Sequence, residues 1–156
     1  MNIVIVCTGN TCRSPMAESI LKDALIKRGE VIDEFNITSA GISTIDGLDA
    51  SKHSISALKE MNIDLKNHKS KLLTLDLVEK SDLILTMTKA HKDIILNSLP
   101  QFSTKIFTLK EFADDKDIDI VDPFGGSLEV YKGTAYDIQN TINKLIDKIL
   151  QKKKDK

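Results

Sequence analysis

The chain opens with Asn2-Ile-Val-Ile-Val-Cys7, an apolar, β-branched run with no polar alternation after Asn2. That is the pattern of a strand buried on both faces of a parallel sheet, which requires helices on both sides. A polar stretch, Thr8 to Ser14, follows. Pro15 then fits the first turn of a helix over about Pro15 to Arg28, with Ser14 placed to cap it. Met16, Ile20, Ala24 and Ile26, with Leu21 and Leu25, mark its apolar stripe, while Glu18, Lys22, Asp23 and Lys27 fall on the wet side. Gly29 is a natural stop.

The same rhythm continues. A second strand is expected at Asn36 to Ser39, then the Gly41 loop and a helix from Ser51 to Met61 whose Ile55, Leu58 and Met61 share a face. Asn62 to Lys71 reads as connection, and a short helix at Leu75 to Lys80 leads to the apolar run Asp82 to Met87. A helix over Lys89 to Leu99, a last strand at Lys105 to Leu109 and a long acidic loop from Glu111 to Gly126 come next. The final element is a helix over Leu128 to Lys152, buried along Ile138, Ile142, Leu145, Ile146 and Ile149, with a frayed lysine tail. Alternating strands and helices give an α/β fold: a single-domain three-layer sandwich over residues 1–156, with a four-stranded parallel sheet and helices on both faces. In such folds ligands bind beyond the carboxyl ends of the strands, where Cys7 to Ser14 lies.

Composition narrows the function. The chain has 156 residues, enough for one domain that buries roughly two thirds of its unfolded surface. Its 22 Lys and Arg against 23 Asp and Glu leave a net charge of −1, which argues against a nucleic-acid partner. No apolar run approaches the roughly 20 residues that cross a bilayer, so no membrane partner is expected. Two cysteines form neither a disulfide framework nor a zinc pattern, so a reduced, cytoplasmic protein without a metal is expected. No dinucleotide or nucleotide-binding glycine motif occurs, and no cofactor is expected.

The chemistry concentrates in Cys7-Thr8-Gly9-Asn10-Thr11-Cys12-Arg13-Ser14. A loop entering a helix N-terminus aims several backbone N–H groups into one concavity, where a tetrahedral oxyanion fits. The same positive end favours a thiolate at Cys7, a nucleophile facing the anion. Arg13 can hold two phosphoryl oxygens bidentately, and Ser14 can stabilise the thiolate. Gly9 and Asn10 are residue types that tolerate left-handed turns. Far along the chain, Asp122-Pro123-Phe124 supplies a carboxyl that could protonate the leaving group and then deprotonate a water.

Val6 to Glu18 together with Asp122-Pro-Phe resembles the low-molecular-weight protein tyrosine phosphatase family, and the similarity spans essentially the whole chain. Thr11 and Asp122-Pro-Phe-Gly-Gly-Ser127 most resemble the bacterial protein arginine phosphatases, in which threonine stands where tyrosine-directed members commonly carry isoleucine. The resemblance implies Cys7 as nucleophile, Arg13 as phosphate clamp, Ser14 as thiolate support and Asp122 as general acid. It also implies that Asn10 is held by neighbouring groups, for which Ser39 and His68 are the matching residues. Thr8, Gly9, Asn10, Thr11, Cys12, Arg13 and Phe124 are then the substrate-binding set.

Thr11 makes the pocket wall smaller and more polar than isoleucine would, which suits a phosphoguanidinium rather than an aromatic ring. The carboxylates Glu111, Asp114, Asp115, Asp117 and Asp119 add a negative field that would favour a basic substrate. The expected function is hydrolysis of phosphoarginine in phosphorylated proteins through a phosphocysteine, by a monomer, with phosphotyrosine as the alternative substrate. Cys12 could form a reversible disulfide with Cys7 that protects it from over-oxidation. An arsenate reductase would need further relay cysteines, and a phosphoryl carrier would not need Asp122. Tyr131 and Tyr136 read as surface or packing residues, and His53 and His91 as exposed on helices.

Overall fold

Strand β1 (Asn2–Cys7) is central: it pairs in parallel with β2 (Asn36–Gly41) on one side and β3 (Leu83–Thr86) on the other. β4 (Ile106–Thr108) pairs with β3, giving an all-parallel sheet in the order β2-β1-β3-β4. A computed structural model describes the whole chain, Met1 to Lys156.

The uninterrupted apolar character of β1 has the anticipated cause. Ile3, Ile5 and Cys7 face the larger core under α1 (Arg13–Lys27), α2 (Lys52–Lys59) and α6 (Leu128–Lys154). Val4 and Val6 face a smaller cluster with Val78 of α3 (Leu75–Lys80) and Ile95 of α4 (Lys89–Ser98). Both faces of the sheet are therefore dry, and alternation disappears from the strand sequence.

Several expected boundaries move. The run after β4 does not stay a loop: Thr108 caps α5 (Leu109–Phe112), with Glu111 completing a capping box. Short 3₁₀ turns occupy Ile32–Glu34 and Pro100–Lys105, where no periodicity announced them. Ile26, assigned to the buried stripe, is 57% exposed, because the core face of α1 runs through Met16, Ala17, Ile20, Leu21 and Leu25. The lysine tail is helical through Lys154 rather than frayed, and Lys153 pairs with Glu34 while Lys156 pairs with Asp82.

The chain leaves β1 to build β2 on one side and then returns to build β3 on the other. The crevice at this change of direction lies beyond the ends of β1 and β3, between the loop after Cys7 and the segment entering α4.

Candidate active site

Cys7 ends β1 opposite Gly41, and the chain turns at once into the loop that starts α1. Asn10 makes the turn possible with φ of 56°, a left-handed conformation that asparagine adopts more readily than most residues. Gly9, expected to share that role, does not have positive φ. Gly41 matters instead: a Cβ there would meet the Thr8 carbonyl oxygen at 2.7 Å, so the end of β2 must be glycine for the loop to lie against it.

α1 begins two residues earlier than its sequence suggested, with Cys12 at the N-cap and no side-chain cap. Ser14 is therefore not the cap. Its hydroxyl sits inside the first turn, 2.9 Å from Cys7 Sγ, and accepts a 2.8 Å hydrogen bond from Asn10 Nδ2. α2, α3, α4, α5 and α6 are each capped by a serine or threonine side chain, whereas the first-turn amides of α1 are left to the loop. The Asn10 backbone N–H also donates to Cys7 Sγ, at 3.3 Å. The buried thiol thus faces a hydroxyl and a backbone amide beside the first turn of α1.

Asn10 is fully buried, and its side chain works in three directions. Nδ2 donates to Ser14 and to Ser39 Oγ at 2.9 Å, and Oδ1 accepts from the Lys71 backbone N–H at 2.9 Å. Its carbonyl oxygen lies 2.7 Å from His68 Nε2. Ser39 and His68 thus both hold Asn10. Sequence reasoning missed the next member: Ser39 donates to Glu18 Oε2 at 2.6 Å, and His68 Nδ1 lies 4.0 Å from the same oxygen. Glu18, assigned to the wet face of α1, is largely covered and ties the network to Lys22. Its signal was its position four residues after Ser14, on the same helical face.

Arg13 is buried; Nη1 donates to the Ile120 carbonyl at 2.9 Å and Nη2 lies 3.6 Å from Asp122 Oδ2. Asp122 is brought across by the loop after α5, and its Oδ1 accepts from the Phe124 backbone N–H at 3.0 Å. Its carboxyl remains 55% exposed, accessible to substrate and water. Cys7, Thr8, Gly9, Thr11, Cys12, Arg13, Asp122 and Phe124 line one cleft of about 280 Å³. Phe124, 80% exposed, forms its lip.

The family model of low molecular weight phosphotyrosine protein phosphatase matches residues 2–156. The chain belongs to this family. It is 41% identical over 156 residues to a protein-arginine-phosphatase of Bacillus subtilis, covering 100% of this chain and 99% of the relative. It is 38% identical over 145 residues to the low molecular weight protein-tyrosine-phosphatase PtpB of Staphylococcus epidermidis, covering 93% and 96%. Among solved structures, a mutant of the YwlE arginine phosphatase with a phosphorylated active site serine superposes with a TM-score of 0.89 at 40% identity, covering 96% of this chain and 95% of that one.

Within this family member, His91 differs from its expected surroundings. His91 is buried, not exposed: it lies between Thr8 and Thr88 at the start of α4. Tyr131 packs in the core, with its ring tilted against the exposed His53 at 5.2 Å between centroids and its hydroxyl 3.5 Å from Cys12 Sγ. Burial, then the contact with Cys12, pushes its phenol up to about 12. Tyr136 is exposed as expected. Thr11 contributes its carbonyl to the Ser51 N–H at 2.8 Å and leaves its side chain to the cleft wall. Cys7 and Cys12 are both free thiols.

The acidic run does not act as one field. Glu111 pairs with Lys92, Asp114 with Lys148, Asp115 with Lys144 and Asp117 with Lys110, while Asp119 accepts from the Lys89 backbone N–H. Lysines from α4, α5 and α6 thus compensate much of its charge, and Asp122 is the carboxylate that faces the cleft.

Proposed function

We propose that this protein hydrolyses phosphoarginine in phosphorylated proteins through a phosphocysteine on Cys7. The observation that carries the reading is the joining, in one cleft, of the Cys7 thiol, the Arg13–Asp122 pair and the polar side chain of Thr11. The similarity to a protein-arginine-phosphatase over the full chain supports the same substrate class. Thr8 to Arg13 supply loop amides and a guanidinium for the phosphoryl oxygens, and a guanidine leaving group meets Asp122 rather than an apolar wall.

The reaction divides into two displacements. The Cys7 thiolate attacks phosphorus, an S–P bond forms, and the P–N bond breaks as Asp122 gives its proton to the departing guanidine nitrogen. Arg13 and the loop amides hold the equatorial oxygens as charge spreads over them. Asp122, now a carboxylate, takes a proton from water whose oxygen attacks phosphorus; the S–P bond breaks and inorganic phosphate leaves. Ser14 stabilises the thiolate released in this second step. Arginine keeps the proton that Asp122 gave, and Asp122 regains one from the attacking water, so the enzyme ends the cycle in its starting protonation state.

One domain over residues 1–156 acts in this proposal as a cytoplasmic monomer, without metal or cofactor, on protein substrates. No helix is long and apolar enough to cross a membrane. A peroxide that oxidises Cys7 to the sulfenic acid would let the Cys12 thiol attack its sulfur and expel water, giving a disulfide that an external thiol reductant reopens and that withdraws the nucleophile from irreversible oxidation. The aromatic lip at Phe124 favours phosphotyrosine as the second candidate substrate, through ring stacking.

Rapid quenching of the enzyme with a phosphoarginine-bearing protein, followed by mass analysis of its peptides, tests the pathway. A transient phosphoryl group on the peptide holding Cys7 is expected. Turnover with no phosphoryl group on Cys7 at any time would contradict it.

A further inference from the structure

His91 is 5% exposed and reaches two hydroxyls: Nε2 lies 2.8 Å from Thr8 Oγ1, and Nδ1 lies 2.9 Å from Thr88 Oγ1. Neither bond takes part in the chemistry described above, yet Thr8 belongs to the nucleophile loop and lines the cleft. His91 sits at the third position of α4, five residues past the end of β3, and its bond to Thr8 links the two chain segments that leave β3 and β1 beside the crevice.

The directions of these bonds follow from counting protons. Thr88 caps α4, and its Oγ1 accepts the His91 backbone N–H at 3.2 Å. Its own hydroxyl proton has one acceptor in reach, His91 Nδ1. A neutral imidazole that accepts at Nδ1 carries its proton on Nε2 and donates it to Thr8. Burial first, and then the Arg13 guanidinium, hold the imidazole at about 4 against the opposing pull of Asp119 and Asp122, so the neutral ring prevails near neutral pH. Thr8 Oγ1 is occupied as an acceptor and makes no other hydrogen bond within the protein, which leaves its proton to give.

We propose that His91 is a positioning residue that fixes the Thr8 hydroxyl as a hydrogen-bond donor into the cleft, directed at an anionic oxygen of the bound substrate. The inference rests on the phosphatase reading of that cleft and adds a side-chain donor to it. Thr88, His91 and Thr8 then form a one-way relay of hydrogen bonds from the cap of α4 to the phosphoryl group. The other tautomer would turn the Thr8 proton back toward the imidazole and present the substrate with a lone pair, which repels an oxyanion. Such a device orients a donor before substrate arrives, so no reorganisation is needed during reaction.

The test uses full-length protein, inorganic phosphate as the oxyanion probe and the nitrogen shifts of the labelled His91 ring. Protonation at Nε2 is expected. Thr8→Val and His91→Phe should each weaken phosphate inhibition and kcat/KM by roughly tenfold to a hundredfold, the range for a hydrogen bond to a charged group. Thr8→Ser, which keeps the hydroxyl, and His91→Gln, which keeps a donor near the Nε2 position, should restore most of the loss. The double variant Thr8→Val/His91→Phe should be no worse than the poorer single variant, because both act through one hydroxyl. Should His91→Phe fail to fold, the ring tautomer of the unsubstituted protein and the Thr8 pair together decide the matter. A ring protonated at Nδ1, or unchanged phosphate inhibition in Thr8→Val, would overturn the inference. If the unsubstituted protein hydrolyses neither phosphoarginine nor phosphotyrosine, while phosphate binding still depends on Thr8, the phosphatase reading fails and the relay stands.

Discussion

Asn10 shows how one side chain can hold a nucleophile in place. Its amide binds Ser14 and Ser39 on one side and the Lys71 backbone on the other, and its own backbone N–H points at Cys7. Ser14 in turn touches the thiol, so the geometry around Cys7 is set by side chains that do not line the cleft. The general-acid assignment makes a sharper demand. Asp122→Asn keeps the hydrogen-bonding shape but carries no transferable proton, and it should lower kcat by roughly 10²-fold or more in steady-state phosphate release. A phosphoryl carrier would lose little. Thr11 governs the choice of substrate: Thr11→Ile should raise the ratio of phosphotyrosine to phosphoarginine activity roughly tenfold or more, read as kcat/KM for each. An unchanged ratio would remove Thr11 from the specificity argument.

The strands and helices place these residues by close approach as much as by hydrogen bonding. Gly41, the last residue of β2, touches the backbone of Thr8 and Gly9. Gly41→Ala forces a Cβ into that backbone, and the loop or the strand end must shift. A loss of roughly 1–3 kcal/mol in denaturant unfolding is expected, as for other overpacked sites, together with a larger fractional loss of turnover than of stability. Full activity in Gly41→Ala would show that the loop is less tightly seated. The element pattern was readable where periodicity was clean: β1 from its unbroken apolar run, and α6 from Ile138, Ile142, Leu145, Ile146 and Ile149, all buried. It failed at α1's start, where Ser14 looked like a cap but its hydroxyl is turned toward the thiol. α5 was missed because four residues are too few to show a helical period, although Thr108 and Glu111 carried the capping signal.

Across the whole molecule, the site residues legible in sequence were those packed into one short motif, Cys7 to Ser14, and the Asp-Pro-Phe run at Asp122, while Ser39 and His68 were reached through the family resemblance. Glu18 and His91 were read wrongly because their partners come from other elements; His91 and Thr8 are 83 positions apart. Buried, depressed His91 also has a consequence for folding. Its folded value of about 4 lies below the ordinary 6.5, so between these values the unfolded chain binds the proton and the folded chain does not. Stability contributed by the neutral ring is therefore complete above pH 6.5 and declines as pH falls toward 4. After allowance for screening by water at the cleft, the loss should be about 1–2 kcal/mol. Denaturant unfolding at pH 7 and at pH 4.5 should show this loss in the unsubstituted protein and a smaller one in His91→Gln; equal losses would contradict it.

The most direct test of the account is release of phosphate from a phosphoarginine protein and a phosphotyrosine peptide, measured side by side under reducing conditions with the intact enzyme and with Cys7→Ser. A higher kcat/KM for phosphoarginine and no turnover of either substrate by Cys7→Ser are expected. A preference for phosphotyrosine, or phosphate release that survives the loss of Cys7, would contradict it.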